Sequence, residues 1–185
     1  MMASFRLKHS MEVSITVATT VLPHENPNRV VDSVLALFPQ WNCDEIPEVH
    51  DFPSKRDAVR LVGQAQTLDI IIEGATKQRI LDTALDAMTL DLEGDSTTFS
   101  LSRQAALANK ISFVVEERPI GGVMDVTLTG KDLGLWIEQE TWHDGRHYVP
   151  RRVGDELSMN SDGFPREWFD KHGRKTMNDT NGEED

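Results

Sequence analysis

Two short stretches of this chain place amide and cationic side chains where they could grip an anion. In 77–84, KQRILDTA, Lys77 and Arg79 flank Gln78. At about 100° per residue Gln78 falls within the apolar stripe of Ile71, Leu81, Leu85 and Met88, whereas Arg79 falls on the polar side with Asp82 three residues on. A carboxamide in an apolar stripe must find partners, either backbone or ligand. Arg79 has two chemistries open to it, a helical ion pair with Asp82 or a phosphate contact. In 101–113, LSRQAALANKISF, Arg103 and Gln104 stand near the start of a short helix and Lys110 follows its end. A helix N-terminus with an arginine beside it can hold a phosphate; a solvated helix face is the alternative. Lys55 and Arg56, adjacent in a loop, complete the set of candidate RNA contacts: Lys55, Arg56, Lys77, Gln78, Arg79, Arg103, Gln104 and Lys110.

Motifs for other chemistries are missing. No G-x-x-x-x-G-K-[ST], no G-x-G-x-x-G after a strand and no G-x-S-x-G occurs, so neither phosphate-cradling loop nor nucleophile elbow is present. Cys43 is the sole cysteine, which excludes an intrachain disulfide and a Cys-based zinc site. His143 and His147, spaced H-x-x-x-H beside Asp144, are a ligand set that zinc or nickel accepts. Gly145 between them argues against the helix that would put both on one face, and solvated loop histidines are favoured. Glu116 and Glu117 are adjacent on an expected strand, so they point to opposite faces and form no acid/base pair. The expectation is therefore a protein that is not an enzyme, with no cofactor and no metal; a metal-dependent hydrolase through His143, Asp144 and His147 ranks last.

The elements that must position these groups are legible from periodicity. Residues 12–22 alternate, with Val13, Ile15, Val17, Thr19 and Val21 on one side, and predict a half-buried strand. Asn26 and Pro27 form an N-cap and N1 pair for a helix with the stripe Val30, Val31, Val34, Leu35 and Phe38. A weak strand in 41–49 and a short one in 60–65 are expected to pair, with Gly63 at a close approach. Residues 67–90 read as helix broken at Gly74, 91–96 as a loop, and 101–108 as a short helix capped by Ser100 or Ser102. The stretches 110–117 and 123–129 read as a hairpin through Gly121 and Gly122, and 131–141 as a closing helix. The order implies an α+β domain, a mostly antiparallel sheet with helices packed on one face. We place a disordered N-terminus at 1–10, the single domain at 11–143 and a polar, largely disordered extension at 144–185. That extension carries one aromatic cluster, FPREWF, whose Phe164, Trp168 and Phe169 would dock on the domain or serve as a peptide for a partner protein.

Bulk composition sets the bounds. With 185 residues, 38% hydrophobic and 27% charged, the chain fits one domain plus a polar tail. No apolar run is long enough to span a bilayer and MMASFRLKHS lacks a signal-peptide core, so the expected location is cytoplasmic and no membrane partner is expected. A formal charge of −12 opposes long-range attraction to phosphate backbones, and suits a salty cytoplasm.

The opening strand ending Val21-Leu22-Pro23, then Asn26-Pro27, LALFP at 35–39, QRILDTA at 78–84, LSRQAA at 101–106 with KISF at 110–113, and Pro119-Ile120-Gly121-Gly122 resemble, in that order, an archaeal family of conserved proteins. That family is described as predicted RNA-binding proteins and sometimes as exosome-associated. The resemblance covers about residues 12–142. It implies a fold like that of the large-subunit ribosomal protein that binds 5S ribosomal RNA, with an RNA-recognition-like sheet, and a non-catalytic role in binding RNA or in an RNA complex. Family members carry more bases around the matching segments, and the aromatic display of an RNA-reading sheet reduces here to Phe113. The alternative is a protein-interaction module that docks on an RNA-processing or ribosomal complex.

Overall fold

A computed structural model describes residues 12–43, 45–49, 56–115 and 118–154. The alternating segment forms strand β1 (Ser14–Val21), whose Ile15, Val17, Thr19 and Val21 are at most 3% exposed. Asn26 caps helix α1 (Pro27–Leu35), its side chain accepting the Asn28 N–H at 3.0 Å. The Val30, Val31 and Val34 stripe of α1 is buried. Strands β2 (Asn42–Cys43) and β3 (Val59–Ala65) pair antiparallel through Asn42–Gln64 and Cys43–Gly63, as the sequence predicts, although β2 is only two residues long. Gly63 sits at a close approach. A Cβ there would lie 2.1 Å from the Asn42 carbonyl oxygen and 2.6 Å from Trp41 Nε1, which donates to the Val17 carbonyl at 3.1 Å.

The helical stretch divides into α2 (Asp69–Gln78) and α3 (Leu81–Thr89), so the break lies five residues beyond Gly74. Arg79 ends α2 in the left-handed conformation (φ 59°), and the Ile80 N–H reaches back to the Ala75 carbonyl at 2.9 Å. This closure satisfies the last carbonyls of the helix. Gly74 has another duty: a Cβ there would meet Ile111 Cγ1 at 2.6 Å, so it admits the Ile111 side chain against α2.

The main departure from the sequence reading concerns 96–129. Ser96–Ser102 is strand β4, read beforehand as loop and helix start because serine and threonine dominate it. Thr97, Phe99 and Leu101 alternate inward, and antiparallel pairing along its whole length with strand β6 (Val123–Thr129), from Ser96–Thr129 to Ser102–Val123, outweighs its turn-forming composition. Helix α4 (Arg103–Leu107) follows, capped by Ser102 as one of the two expected residues. Strand β5 (Phe113–Val114) then pairs with β4 and not with β6, so no hairpin joins 110–117 to 123–129; the chain crosses over β4 instead. The sheet order is β2-β3-β1-β6-β4-β5, antiparallel throughout the described residues. Helix α5 (Leu133–Glu140) buries Leu133 and Ile137, with Trp136 half-buried at the core's edge.

All five helices supply the same side of the sheet. Val34, Phe38, Ile71, Leu85, Met88, Leu133 and Ile137 meet Val17, Phe99, Leu101, Met124, Val126 and Leu128 in one core. Full burial of each such side chain contributes on the order of 1.5–3 kcal/mol, which holds the α+β architecture together. The other side carries hydroxyls and amides: Gln64 donates to Thr16 Oγ1 (3.1 Å), Thr98 and Thr127 hydroxyls meet at 2.9 Å, and Ser100 donates to Asp125 (2.8 Å). No described aromatic side chain lies on it. Phe113, the one expected there, turns inward against Phe99 with ring centroids 5.9 Å apart.

The packed structure also runs past the domain boundary drawn at 143. A 3-10 turn (Asp144–His147) buries Arg146, Val153 packs against the core, and the Val153 N–H donates to Glu138 Oε1 at 2.9 Å. Polar composition concealed this, because Arg146 and Arg151 bond to carboxylates on α3 and are not simply solvated. The aromatic cluster Phe164, Trp168 and Phe169 lies outside the described residues, as do Lys55, the N-terminal stretch 1–10 and the rest of 155–185.

Candidate nucleic-acid interface

The candidate residues separate into two groups. Arg103 and Arg56 are committed inside the fold. Arg103, at the start of α4, is 3% exposed. Its Nε donates to the Gly121 carbonyl (2.7 Å), Nη1 to the Thr20 carbonyl (2.9 Å) and Nη2 to Glu25 Oε1 (2.5 Å). Gly122 (φ 74°) leaves room for this guanidinium: a Cβ would come within 2.1 Å of Nη2. Expected to reach a phosphate, Arg103 instead ties β1, the β1–α1 loop and the 119–122 turn together. Arg56 likewise donates to the carbonyls of Leu22, Glu25 and Glu48 at 2.7, 3.1 and 3.2 Å. Gln104 is exposed, and a Cβ at Gly121 would lie 2.8 Å from its Cγ.

The second group comes together on the surface. Gln78 Nε2 donates to the Ile111 carbonyl (2.8 Å) while its Oε1 accepts the Ile111 N–H (2.7 Å). This paired clasp answers the question of where the amide finds its partners. It also seats Lys110, one residue before Ile111, beside the C-terminus of α2, where Lys77 and Arg79 stand exposed. Lys77 pairs with Glu73 one turn back at 3.7 Å, a solvated contact. Arg79 makes no ion pair with Asp82; its left-handed backbone turns it off the helix register that would allow one.

Asp82 has other partners. Arg146 Nε donates to its Oδ1 at 2.9 Å and His143 Nε2 approaches the same oxygen at 3.1 Å. Burial pushes the Asp82 carboxyl up, but the hydrogen bonds from Arg146 and His143, with their charge, outweigh it and hold the group below its ordinary value. One turn along α3, Asp86 takes both Nε and Nη2 of Arg151. His143 and His147 do not form a pair of ligands: His143 faces Asp82, and His147 stacks edge-on against Trp142 with ring centroids 5.2 Å apart. Among the described residues no group of three His, Cys, Asp or Glu side chains could hold a metal ion. Nor is any helix there long and apolar enough to cross a membrane.

In 142–152, WHDGRHYVPRR, the sequence reading singled out only His143, Asp144 and His147, as the last-ranked metal set, and none of the arginines. The available signal was its interleaving of aromatic, histidine and arginine side chains, hidden by the loss of helical periodicity after Trp142. Through Asp82 and Asp86 this segment lies along α3.

No protein-family model matches the chain. Among curated proteins, it is 31% identical over 141 residues to the UPF0201 protein of Methanothermobacter thermautotrophicus, covering 76% of this chain and 98% of that protein. It is 34% identical over 136 residues to the UPF0201 protein of Sulfurisphaera tokodaii, covering 69% and 88%. Among solved structures, an uncharacterized UPF0201 protein superposes with a TM-score of 0.56 at 26% identity, covering 68% of this chain and 90% of that one. The UPF0201 protein of Methanococcus jannaschii shares the fold with a TM-score of 0.59 at 19% identity, covering 71% and 96%. In sequence along nearly the full length of its relatives, and in fold, this chain belongs to the UPF0201 family of archaeal conserved proteins.

Proposed function

We propose that this chain is a non-catalytic RNA-binding protein, acting alone or as an accessory of an RNA complex, and that it contacts phosphate through Lys77, Arg79 and Lys110. The observation that carries the reading is the Gln78–Ile111 clasp, which holds cations from two distant segments at the end of one helix. A second feature favours the same surface: Asp82 and Asp86, the carboxylates of the adjoining α3 face, are already paired with Arg146 and Arg151. An anion approaching there meets less repulsion than the formal charge of −12 implies, since charges beyond about 10 Å are screened at ordinary ionic strength. The hydroxyl-bearing side of the sheet could add hydrogen bonds to ribose or phosphate, but among the described residues offers no ring for stacking.

Filter binding with structured ribosomal RNA over a range of salt concentrations tests this. Three phosphate contacts predict a slope of log affinity on log salt near −2 to −3, from roughly 0.7–0.9 per contact. The triple variant K77E/R79E/K110E should bind at least tenfold more weakly while unfolding like the parent, because all three side chains are exposed. Absence of binding even at low salt would overturn the proposal.

A further inference from the structure

Leu135, Trp142, Tyr148 and Val149 are large apolar side chains left in solvent near the point where the described chain ends. Leu135 and Trp142 share one side of α5, because seven residues make two turns and the Thr141 and Trp142 N–H groups carry the helix on to the Ile137 and Gln139 carbonyls at 3.0 and 3.3 Å. Among the described tryptophans Trp41 is buried and Trp136 half-buried, whereas Trp142 is 45% exposed although it follows directly on a packed helix. His147 stands edge-on to the indole with ring centroids 5.2 Å apart, which holds the ring's orientation. The indole forms one wall of a cavity of about 590 Å³ beside α3 and α5, lined also by Glu138, His147 and Pro150. A single exposed apolar residue needs no explanation, but an oriented indole at a cavity mouth with a second apolar side chain on the same side of its helix marks a docking surface.

The chain leaves the described residues beside this surface. The Val153 N–H donates to Glu138 Oε1 at 2.9 Å, and Val153 Cγ2 lies 3.6 Å from where a Cβ on Gly134 would stand, so residue 153 is fastened along the first two turns of α5. Nine residues, DELSMNSDG, then separate Gly154 from Phe164, the first residue of FPREWF. Ten Cα steps reach up to about 35 Å, against the roughly 10 Å of helix between Leu135 and Trp142. Tethered at that length, Phe164, Trp168 and Phe169 meet the surface at an effective concentration in the millimolar range. A partner protein would compete with a segment that is always within reach. We infer that segment 164–169 docks on its own domain, its aromatic rings covering Trp142 and Leu135 and closing the cavity mouth. Aromatic rings gain from such contact both by leaving water and by edge-on or offset packing against the indole. The inference stands apart from the RNA reading and uses none of its contact residues.

Limited trypsin digestion of the full-length protein tests this, because Arg166 lies inside the cluster and Lys175 beyond it. Each cleavage rate is taken relative to that of the same segment as a free peptide, which removes the intrinsic preference of the protease. Cleavage after Arg166 proceeds only from the undocked chain, so in the parent it should be about tenfold slower than in F164S/F169S, with cleavage after Lys175 equal in the two. The reciprocal variant L135S/W142S, altered at exposed positions outside the core, should lose the protection to the same degree, and its thermal melt establishes that it is folded. F164S/F169S changes no described residue, so its comparison with the parent decides the matter even if L135S/W142S fails to fold. Equal cleavage after Arg166 in the parent and F164S/F169S would overturn the inference and leave the surface to a partner protein. Protection that fades on dilution of the parent overturns it in favour of a second copy of the chain, and protection kept in a folded L135S/W142S overturns it by placing the segment elsewhere.

Discussion

Arg103 was a natural candidate for an RNA contact from its sequence setting, and replacing it with methionine distinguishes that role from the one its geometry supports. R103M keeps most of the aliphatic stem and removes the guanidinium with all its N–H donors. It leaves Glu25 Oε1 and the carbonyls of Thr20 and Gly121 without the partners they have at 2.5, 2.9 and 2.7 Å. The Arg103 and Glu25 side chains are only 4% and 15% exposed, so water replaces those partners poorly. Breaking a buried ion pair from one side costs about 3–5 kcal/mol. The Leu22 N–H still donates to Glu25 Oε2, which favours the lower end, about 3 kcal/mol. For a domain of this size that lowers Tm by roughly 6–12 °C. Urea denaturation followed by circular dichroism measures the loss, and R103M/E25Q, which removes the stranded charge, should recover about half of it. A loss below about 1 kcal/mol, with RNA affinity reduced tenfold or more, would refute the structural role and restore Arg103 as a contact residue.

Gly63→Ala should destabilise by more than about 2 kcal/mol, because the new Cβ would press on the Asn42 carbonyl and on the Trp41 indole, and moving them breaks the β2–β3 pairing or the Trp41–Val17 hydrogen bond; thermal melts measure it. Gln78→Leu removes both bonds to Ile111 and should cost about 2 kcal/mol, at roughly 1 kcal/mol per bond, while also weakening RNA binding by releasing Lys110 from α2. For Asp82, the folded-state pKa is lowered, so its stabilisation is complete above the unfolded value of about 3.9 and is lost as pH falls through the folded one. The stability gap between the parent and D82N should accordingly shrink as pH falls below about 4. Because the Asp82 side chain is 45% exposed, solvent screens its ion pairs and the gap should be modest, as denaturant titrations at each pH would establish.

Sequence periodicity determined the elements whose pattern is local. β1 and β3 alternate, α1 carries its Asn26 cap and valine stripe, and α5 shows its inward Leu133 and Ile137, so each was legible without a neighbour. The Gln78 amide announced its need for partners by standing in an apolar stripe, and Gly63 announced a close approach. The tertiary structure decided the rest through contacts distant in the chain. STTFSLS becomes a strand only because β6 lies beside it, and that placement dissolved the hairpin expected between 110–117 and 123–129. Whether an arginine meets an internal carboxylate or the solvent depends on which loop folds over it, so Arg103 and Arg79, alike in sequence as cations near helix ends, came to opposite fates. The segment 142–152 has no periodicity of its own and gains its order from Asp82 and Asp86 about 65 residues earlier. Long-range ion pairs leave no spacing in a sequence, which is why the cavity beside α3 emerged only from the folded chain.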